Sequence, residues 1–309
     1  MDNHQGPKNP APKQKYLAVF VAILVALIWS STFVIVKIGL ETLGPLTIAG
    51  SRYSLGALAL APFLLLKRRE RKPVPKNLWI KLILIGISSY TIGNGALFWG
   101  LKFIPATTGS FLMGMIPLLV LVGGSLVLKE IPTGWQIFGV LLSLFGSVLF
   151  FSGGILPGEP QGIIILAIGL LGFMTFSLLG RGIARKRSLD TLTLTTLPLA
   201  IGGLTTVCLA LFVEGFPVFN TNAIIIVFWL AFVNTSLGYM LYNHALRELT
   251  ALEMNMIMNL SPLFTALLSW GFLGERLAGI QIIGMLVMIG GVAFVQRGLN
   301  PSKLNNQPG

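Results

Sequence analysis

Cysteine, histidine and charge are scarce in this chain. Its 309 residues include one Cys, two His and ten Asp or Glu, and charged residues make up only 10% of the total. The single cysteine, Cys208, excludes a disulfide framework and a thiolate metal cluster, and it reads as inert packing inside a helix. His4 lies in a polar tail, which leaves His244 as the one histidine of the body. Paired acids of the kind that metal–diphosphate chemistry needs within a membrane are missing. The "GISS" stretch at 86–89 with a lone His244 makes a poor hydrolase dyad. No P-loop is present, and no polar stretch is long enough for a soluble ATPase or enzyme domain. The expectation is therefore no enzyme: no catalytic residues, no metal and no cofactor.

What the chain has in excess is apolar length. Hydrophobic residues reach 54% and the mean hydropathy is +0.83, far from the balance of a soluble domain. A helix of about 20 apolar residues crosses about 30 Å of hydrocarbon. Ten such runs can be read, at roughly 17–38, 45–66, 78–101, 106–128, 134–152, 162–183, 191–213, 223–246, 251–273 and 279–296. The longest link between them is the basic "KRRERKPVPKN" at 67–77, and polar tails occupy 1–16 and 298–309. The first run is too long, and ends too polar in "WSSTFVIVK", for a cleaved signal segment. It reads as a retained span.

The net charge of +12 invites a nucleic-acid reading, but its distribution argues otherwise. With ten spans threaded alternately, 18 of the 22 Lys and Arg fall on the side that holds both termini. Such asymmetry is the positive-inside rule, which places both termini in the cytoplasm and makes anionic lipid contact a side effect.

The chain also repeats itself. Shifted by 145 residues, Pro117 meets Pro262, Glu130 meets Glu275, Gly134 meets Gly279, Gln136 meets Gln281, Gly139 meets Gly284 and Gly146 meets Gly291. Leu-rich composition produces accidental Leu matches, but not these Pro, Glu, Gln and Gly coincidences in one register. The first helices agree more weakly at a shift of 144, where Trp29 and Lys37 parallel Phe173 and Arg181. Each repeat holds five spans, an odd number, so the second copy enters the membrane from the opposite side. The expected fold is all-α: an integral membrane protein of ten transmembrane helices in two inverted five-helix repeats, at 17–152 and 162–297. Inverted repeats are the usual architecture of secondary transporters, because halves of opposite orientation can exchange conformations around a central site.

The sequence resembles the ten-helix drug/metabolite transporters with two EamA-type domains. The resemblance rests on "ALIWSSTFVIVKIGL" in the first helix, "IAGSRYSLGALAL" in the second, and the tandem "P…LKE…GWQIFGVLL" and "P…LGERLAGIQIIGML". It implies an exporter of amino acids or other small metabolites in a bacterial or archaeal plasma membrane. It also implies a central cavity lined mainly by the first, third and fourth helices of each half. Helix 6 departs from the pattern, with Phe173 where the family often has Trp.

Candidate substrate-binding residues are the polar and amphipathic groups near mid-span: Trp29, Thr32, Tyr90, Asn94, Asn234, Tyr239, Asn255 and Asn259. A polar side chain facing lipid at that depth is costly, so these should face inward, to bind a solute or to join helices. Tyr242, Asn243 and His244 lie nearer the end of helix 8, as a vestibule or interface. Arg52 sits mid-membrane and must have partners: either it holds a substrate carboxylate or it braces backbone carbonyls, the reading the sequence favours. Glu253, in the first turn of helix 9, and His244 are the candidates for proton coupling. Glu130 and Glu275 end helices before short turns, where an acid caps the next helix or acts as a coupling carboxylate. Pro117 and Pro262 should kink their helices, as hinges or as static bends. The expected partners are a small-molecule substrate, the lipid bilayer and, if an acid or histidine titrates, protons, with no nucleic acid and a monomer as the default. A channel-like facilitator is the rival function.

Overall fold

The computed structural model describes residues 12–66, 74–116, 118–120, 122–123, 133–152, 158–185, 189–245 and 257–297. These form ten helices and, among the described residues, no strand. They are α1 (Pro12–Gly39), α2 (Pro45–Leu66), α3 (Lys76–Gly100), α4 (Ala106–Met113) and α5 (Gly134–Phe151) in the first repeat. The second repeat has α6 (Pro160–Arg185), α7 (Thr191–Val213), α8 (running from Thr221 to Ala245), α9 (Ser261–Leu273) and α10 (Gly279–Arg297). Six of them, α1, α2, α3, α5, α7 and α8, are long and apolar enough to cross a membrane alone; the other apolar stretches are shorter. The chain is a multi-pass membrane protein built as two inverted five-helix repeats.

Helix starts follow local chemistry. Thr133 and Gln136 form a reciprocal capping box at α5. Asp190 accepts from the Thr193 backbone at α7, and Asn220 accepts from Ala223 at α8. Gly274, at φ 67°, ends α9 in the left-handed conformation that glycine adopts without strain. Pro262 does not kink a helix in its middle. It stands in the first turn of α9, where a missing N–H costs nothing, after a turn at 259–260 that breaks the run. Pro117 lies outside the described residues.

Along α5, most large apolar side chains point outward and small ones inward. On α5, Trp135, Phe138, Leu141, Phe145 and Val148 are exposed, while Gly139, Ser143, Gly146, Ser147 and Phe150 are buried at helical spacing. That is the pattern of a helix facing lipid on one side and another helix on the other, with small residues permitting close approach. Cys208 is likewise exposed, so it does not pack in the interior as expected.

The repeat is visible in how α5 meets α10. A side chain on Gly146 would strike the backbone of Gly284 and Met288 at 2.6 Å, and one on Gly291 would strike Gly139. Shifted by 145 residues, each of these contacts becomes the other. Ser143 donates to the Met288 carbonyl at 3.3 Å, a bond between two equivalent positions, so the pseudo-two-fold axis passes through it. Helices α2 and α7 cross in the same reciprocal way: Gly50 meets Val207, and Gly203 meets Ser54. Their register shift is 153, which aligns "PLTIAG" at 45–50 with "PLAIGG" at 198–203.

One end of the bundle is tied by side chains that reach across it. The Glu214 carboxylate, after α7, accepts from the backbone of Leu46 and Thr47 at 2.7 and 2.8 Å and from the Thr47 hydroxyl, capping α2. Glu275, after α9, does the same for α4, accepting from Ala106 and Thr107 backbone at 2.8 and 3.1 Å and from the Thr107 hydroxyl. The sequence suggested that Glu275 caps the next helix. It instead caps a helix of the other repeat, where its charge meets the positive end of the helix dipole. Glu130, its counterpart, lies outside the described residues. Lys37 completes this end by donating to the carbonyls of Leu101 and Ile104 at 2.6 and 2.8 Å. Beside it opens a cleft of about 350 Å³ lined by Lys37, Glu41, Lys102 and Glu275, among others.

Candidate functional site

Two π-helical segments set the site. Gly86–Gly93 interrupts α3 and Leu230–Leu237 interrupts α8, at equivalent places in the two repeats. A π turn leaves backbone carbonyls out of the regular ladder and turns side chains inward, and such bulges gather at functional sites. Asn94 answers part of that need locally, its amide donating to the Ser89 carbonyl at 2.9 Å. Ser236 does likewise on α8, donating to the Ala231 carbonyl at 3.0 Å.

Asn234, fully buried on the α8 segment, joins α8 to α1. Its amide nitrogen lies 2.5 Å from the Ile28 carbonyl, 3.0 Å from the Ser31 hydroxyl and 2.9 Å from the Thr32 hydroxyl. The Trp29 indole returns the link, donating to the Asn234 carbonyl at 3.1 Å. Gly238, one turn on, leaves the indole room: a side chain there would sit 2.8 Å from its nitrogen. The Asn234 side-chain oxygen is buried without a partner.

From Trp29 a chain of rings runs inward. Tyr242 stacks on Trp29 at 5.1 Å between centroids and Tyr239 meets it at 5.3 Å. Tyr239 reaches Tyr90 edge-on, at 6.2 Å between centroids. Tyr90 in turn packs on Tyr53 at 4.9 Å. Four helices, α1, α2, α3 and α8, thus contribute aromatic rings to one continuous wall, three from the first repeat and one from the second. Each ring offers an apolar face and each tyrosine a polar tip, a lining suited to an amphipathic organic solute.

Arg52, 4% exposed on α2, stands at the inner end of this wall. Its Nε donates to the Thr235 hydroxyl at 2.9 Å, and its guanidinium carbon lies 4.8 Å from the Tyr53 ring centroid and 5.5 Å from that of Phe98. Among the described residues its contacts are thus a side-chain hydroxyl and two aromatic faces, where the sequence suggested backbone carbonyls or a substrate carboxylate.

Of the residues expected at the site, the structure brings together Trp29, Thr32, Tyr90, Asn234, Tyr239 and Arg52. Asn94 is buried beside them but turned to its own helix. Asn259 is buried just before α9, and His244 is exposed near the end of α8. Asn255 and Glu253 lie outside the described residues. Tyr53 and Thr235 were missed. Tyr53 follows Arg52 directly, so the pairing of a mid-span Arg with a Tyr was a usable signal; Thr235 follows Asn234 in the same way.

A model of the EamA-like transporter family matches the chain twice, over residues 16–152 and 160–297. Among curated relatives, the chain is 25% identical over 303 residues to an uncharacterized transporter, YyaM, of Bacillus subtilis (strain 168), covering 95% of this chain and 98% of that one. It is 28% identical over 276 residues to an uncharacterized transporter of Archaeoglobus fulgidus, covering 87% and 93%. It is also 26% identical over 274 residues to an S-adenosylmethionine/S-adenosylhomocysteine transporter of Chlamydia trachomatis serovar L2, covering 84% and 83%. A crystal structure at 16% identity superposes with a TM-score of 0.65 over 96% of this chain and all of that one, a likeness of fold.

Proposed function

The chain belongs to the EamA-like transporter family, and we propose that it is a secondary active transporter exporting amino acids or similarly small amphipathic metabolites by alternating access. The observation that carries this reading is the aromatic and polar wall at mid-depth where the repeats meet, with Trp29 and Tyr90 of one half, Tyr90 backed by Tyr53, meeting Tyr239 of the other. In an inverted repeat, a site on the interface opens to alternate faces as the halves exchange arrangements. Trp29, Thr32, Tyr90, Asn234 and Tyr239 form the binding wall on this reading, with Asn94, Asn255 and Asn259 in support. Coupling to protons would fall to Glu253 or His244. The relative named for S-adenosylmethionine and S-adenosylhomocysteine agrees with this choice of solute, since both molecules carry an amino-acid group on a larger organic body.

The excess of Lys and Arg on the face of the termini supports an orientation with both termini in the cytoplasm. The end tied by Glu214, Glu275 and Lys37 then faces outward, and unlocking it is the release step. The test is counterflow in proteoliposomes loaded with unlabelled amino acids and nucleoside-linked amino acids. The reading predicts saturable uptake of at least one labelled solute, stimulated from the opposite side and reduced roughly tenfold or more by Tyr90→Ala. Flux that grows linearly with concentration and ignores solute on the far side would identify a channel-like facilitator instead.

A further inference from the structure

Arg52 has a donor with nothing to give to. Its Nη1 is buried and has no hydrogen-bond partner, although Nε is satisfied by Thr235. An unsatisfied charged donor deep in a membrane bundle is expensive, and selection retains such a group where a ligand completes it. No acid of the described residues stands there as a counter-ion. Among the described residues the acids are Glu41, Glu159, Asp190, Glu214 and Glu275, and each stands at a helix end or in a turn. Arg52 lies within about 5 Å of the centre of α2 along its axis, at 1.5 Å per residue.

The inverted repeat supplies an internal control for the bracing role. At the register of α2 against α7, the counterpart of Arg52 is Thr205, and the counterpart of Thr235 on α8 is Thr91 on α3. Thr91 and Thr205 do meet, hydroxyl to hydroxyl at 2.6 Å, and Thr91 also donates to the Gly202 carbonyl at 3.2 Å. The same junction is therefore made in the other half by two threonines and no charge. Joining these helices does not call for a guanidinium, so the charge of Arg52 needs another reason.

We propose that Arg52 is the anion-binding residue of the transport site: a carboxylate of the transported solute occupies Nη1 while the rings of Tyr53, Tyr90 and Tyr239 hold its apolar body. A single free nitrogen beside aromatic faces suits one carboxylate oxygen. Among the described residues Arg52 is the one cation near a helix centre, so a phosphate dianion would lack a second positive partner. This inference rests on the transport reading above and narrows its solute.

Two measurements on purified protein test it. In the first, the ligand-free melting temperature of Arg52→Met is compared with that of wild type. A residue kept for binding is a burden on the empty protein, so the variant melts at the same temperature or higher; a fall of several degrees would make Arg52 a structural brace and overturn the inference. In the second, wild type, Arg52→Lys and Arg52→Met are melted with a water-soluble small-metabolite extract, before and after methyl esterification of its carboxylates. The untreated extract is expected to stabilise wild type, to need a roughly tenfold higher concentration for Arg52→Lys, which keeps charge but loses the planar fork, and to leave Arg52→Met unmoved. Esterification should remove the effect on wild type. Equal stabilisation by the esterified extract, or of Arg52→Met, overturns the carboxylate assignment and leaves the transporter standing. An extract that stabilises none of the three contradicts the mid-membrane site itself, and the inference with it.

Discussion

Asn234 is the residue on which the wall depends, because its amide meets three acceptors of α1 while its backbone carbonyl receives the Trp29 indole. In a membrane, helix association cannot draw on the exclusion of water, so such bonds weigh more in the balance of packing. Asn234→Ala removes the amide and leaves the Ile28 carbonyl and the two hydroxyls to find other partners. The expected loss is about 1–3 kcal/mol of stability, read as a lowered melting temperature together with a shift in Trp29 fluorescence as the indole loses its fixed place. Unchanged melting and emission would mean that α1 and α8 are held by packing alone. The sequence offered Asn234 as a candidate on depth, but depth does not say whether an amide faces a cavity or a neighbouring helix. That distinction depends on rotation about the helix axis, and the π turn at Leu230–Leu237 changes that rotation locally.

Helix pairs carry the next level. The approach of α5 to α10 is so close that a methyl group on Gly146 would lie 2.6 Å from the Gly284 carbonyl and the Met288 nitrogen. Gly146→Ala is therefore expected to destabilise by about 1–3 kcal/mol through overpacking, whereas Gly290→Ala, with nothing within 4 Å, should be neutral or gain up to about 1 kcal/mol from helix propensity. Thermal melts of the two variants side by side separate a contact glycine from a spectator. At the tied end, Glu275→Ala strips three hydrogen bonds from the start of α4. A loss of about 1–2 kcal/mol is expected, and with it faster labelling of an Ala106→Cys reporter by a membrane-impermeant maleimide in a Cys208→Ser background. Equal labelling rates with and without Glu275 would show that the carboxylate does not hold this end closed. The recurrence of Glu130 and Glu275 was plain in the sequence; that the acid reaches across to the other repeat was not, since a repeat in one dimension is silent about which helix end lies opposite.

For the whole molecule, ten spans and two inverted halves were legible because membrane length and a 145-residue register leave few alternatives. The α2–α7 register escaped notice for a definite reason: it is shifted by 153 residues, since Pro198, the counterpart of the Pro45 that heads α2, lies seven residues inside α7, and a single sliding offset cannot find both. The candidate site was legible in part. Trp29, Tyr90, Asn234 and Tyr239 announced themselves as polar or aromatic groups at mid-span, while Tyr53 and Thr235 passed as ordinary helix residues beside more conspicuous neighbours. On the proposed transport reading, one mid-membrane wall faces each side of the membrane in turn. This alternation is tested most directly by a cysteine at Ser31, which touches Asn234 within that wall, placed in a Cys208→Ser protein in right-side-out and inside-out vesicles. A small, charged, membrane-impermeant methanethiosulfonate should modify Ser31→Cys from both faces, and adding Glu275→Ala should speed the reaction from the face of the tied turns while slowing it from the other. Modification from one face alone, unmoved by Glu275→Ala, would contradict alternating access at this site.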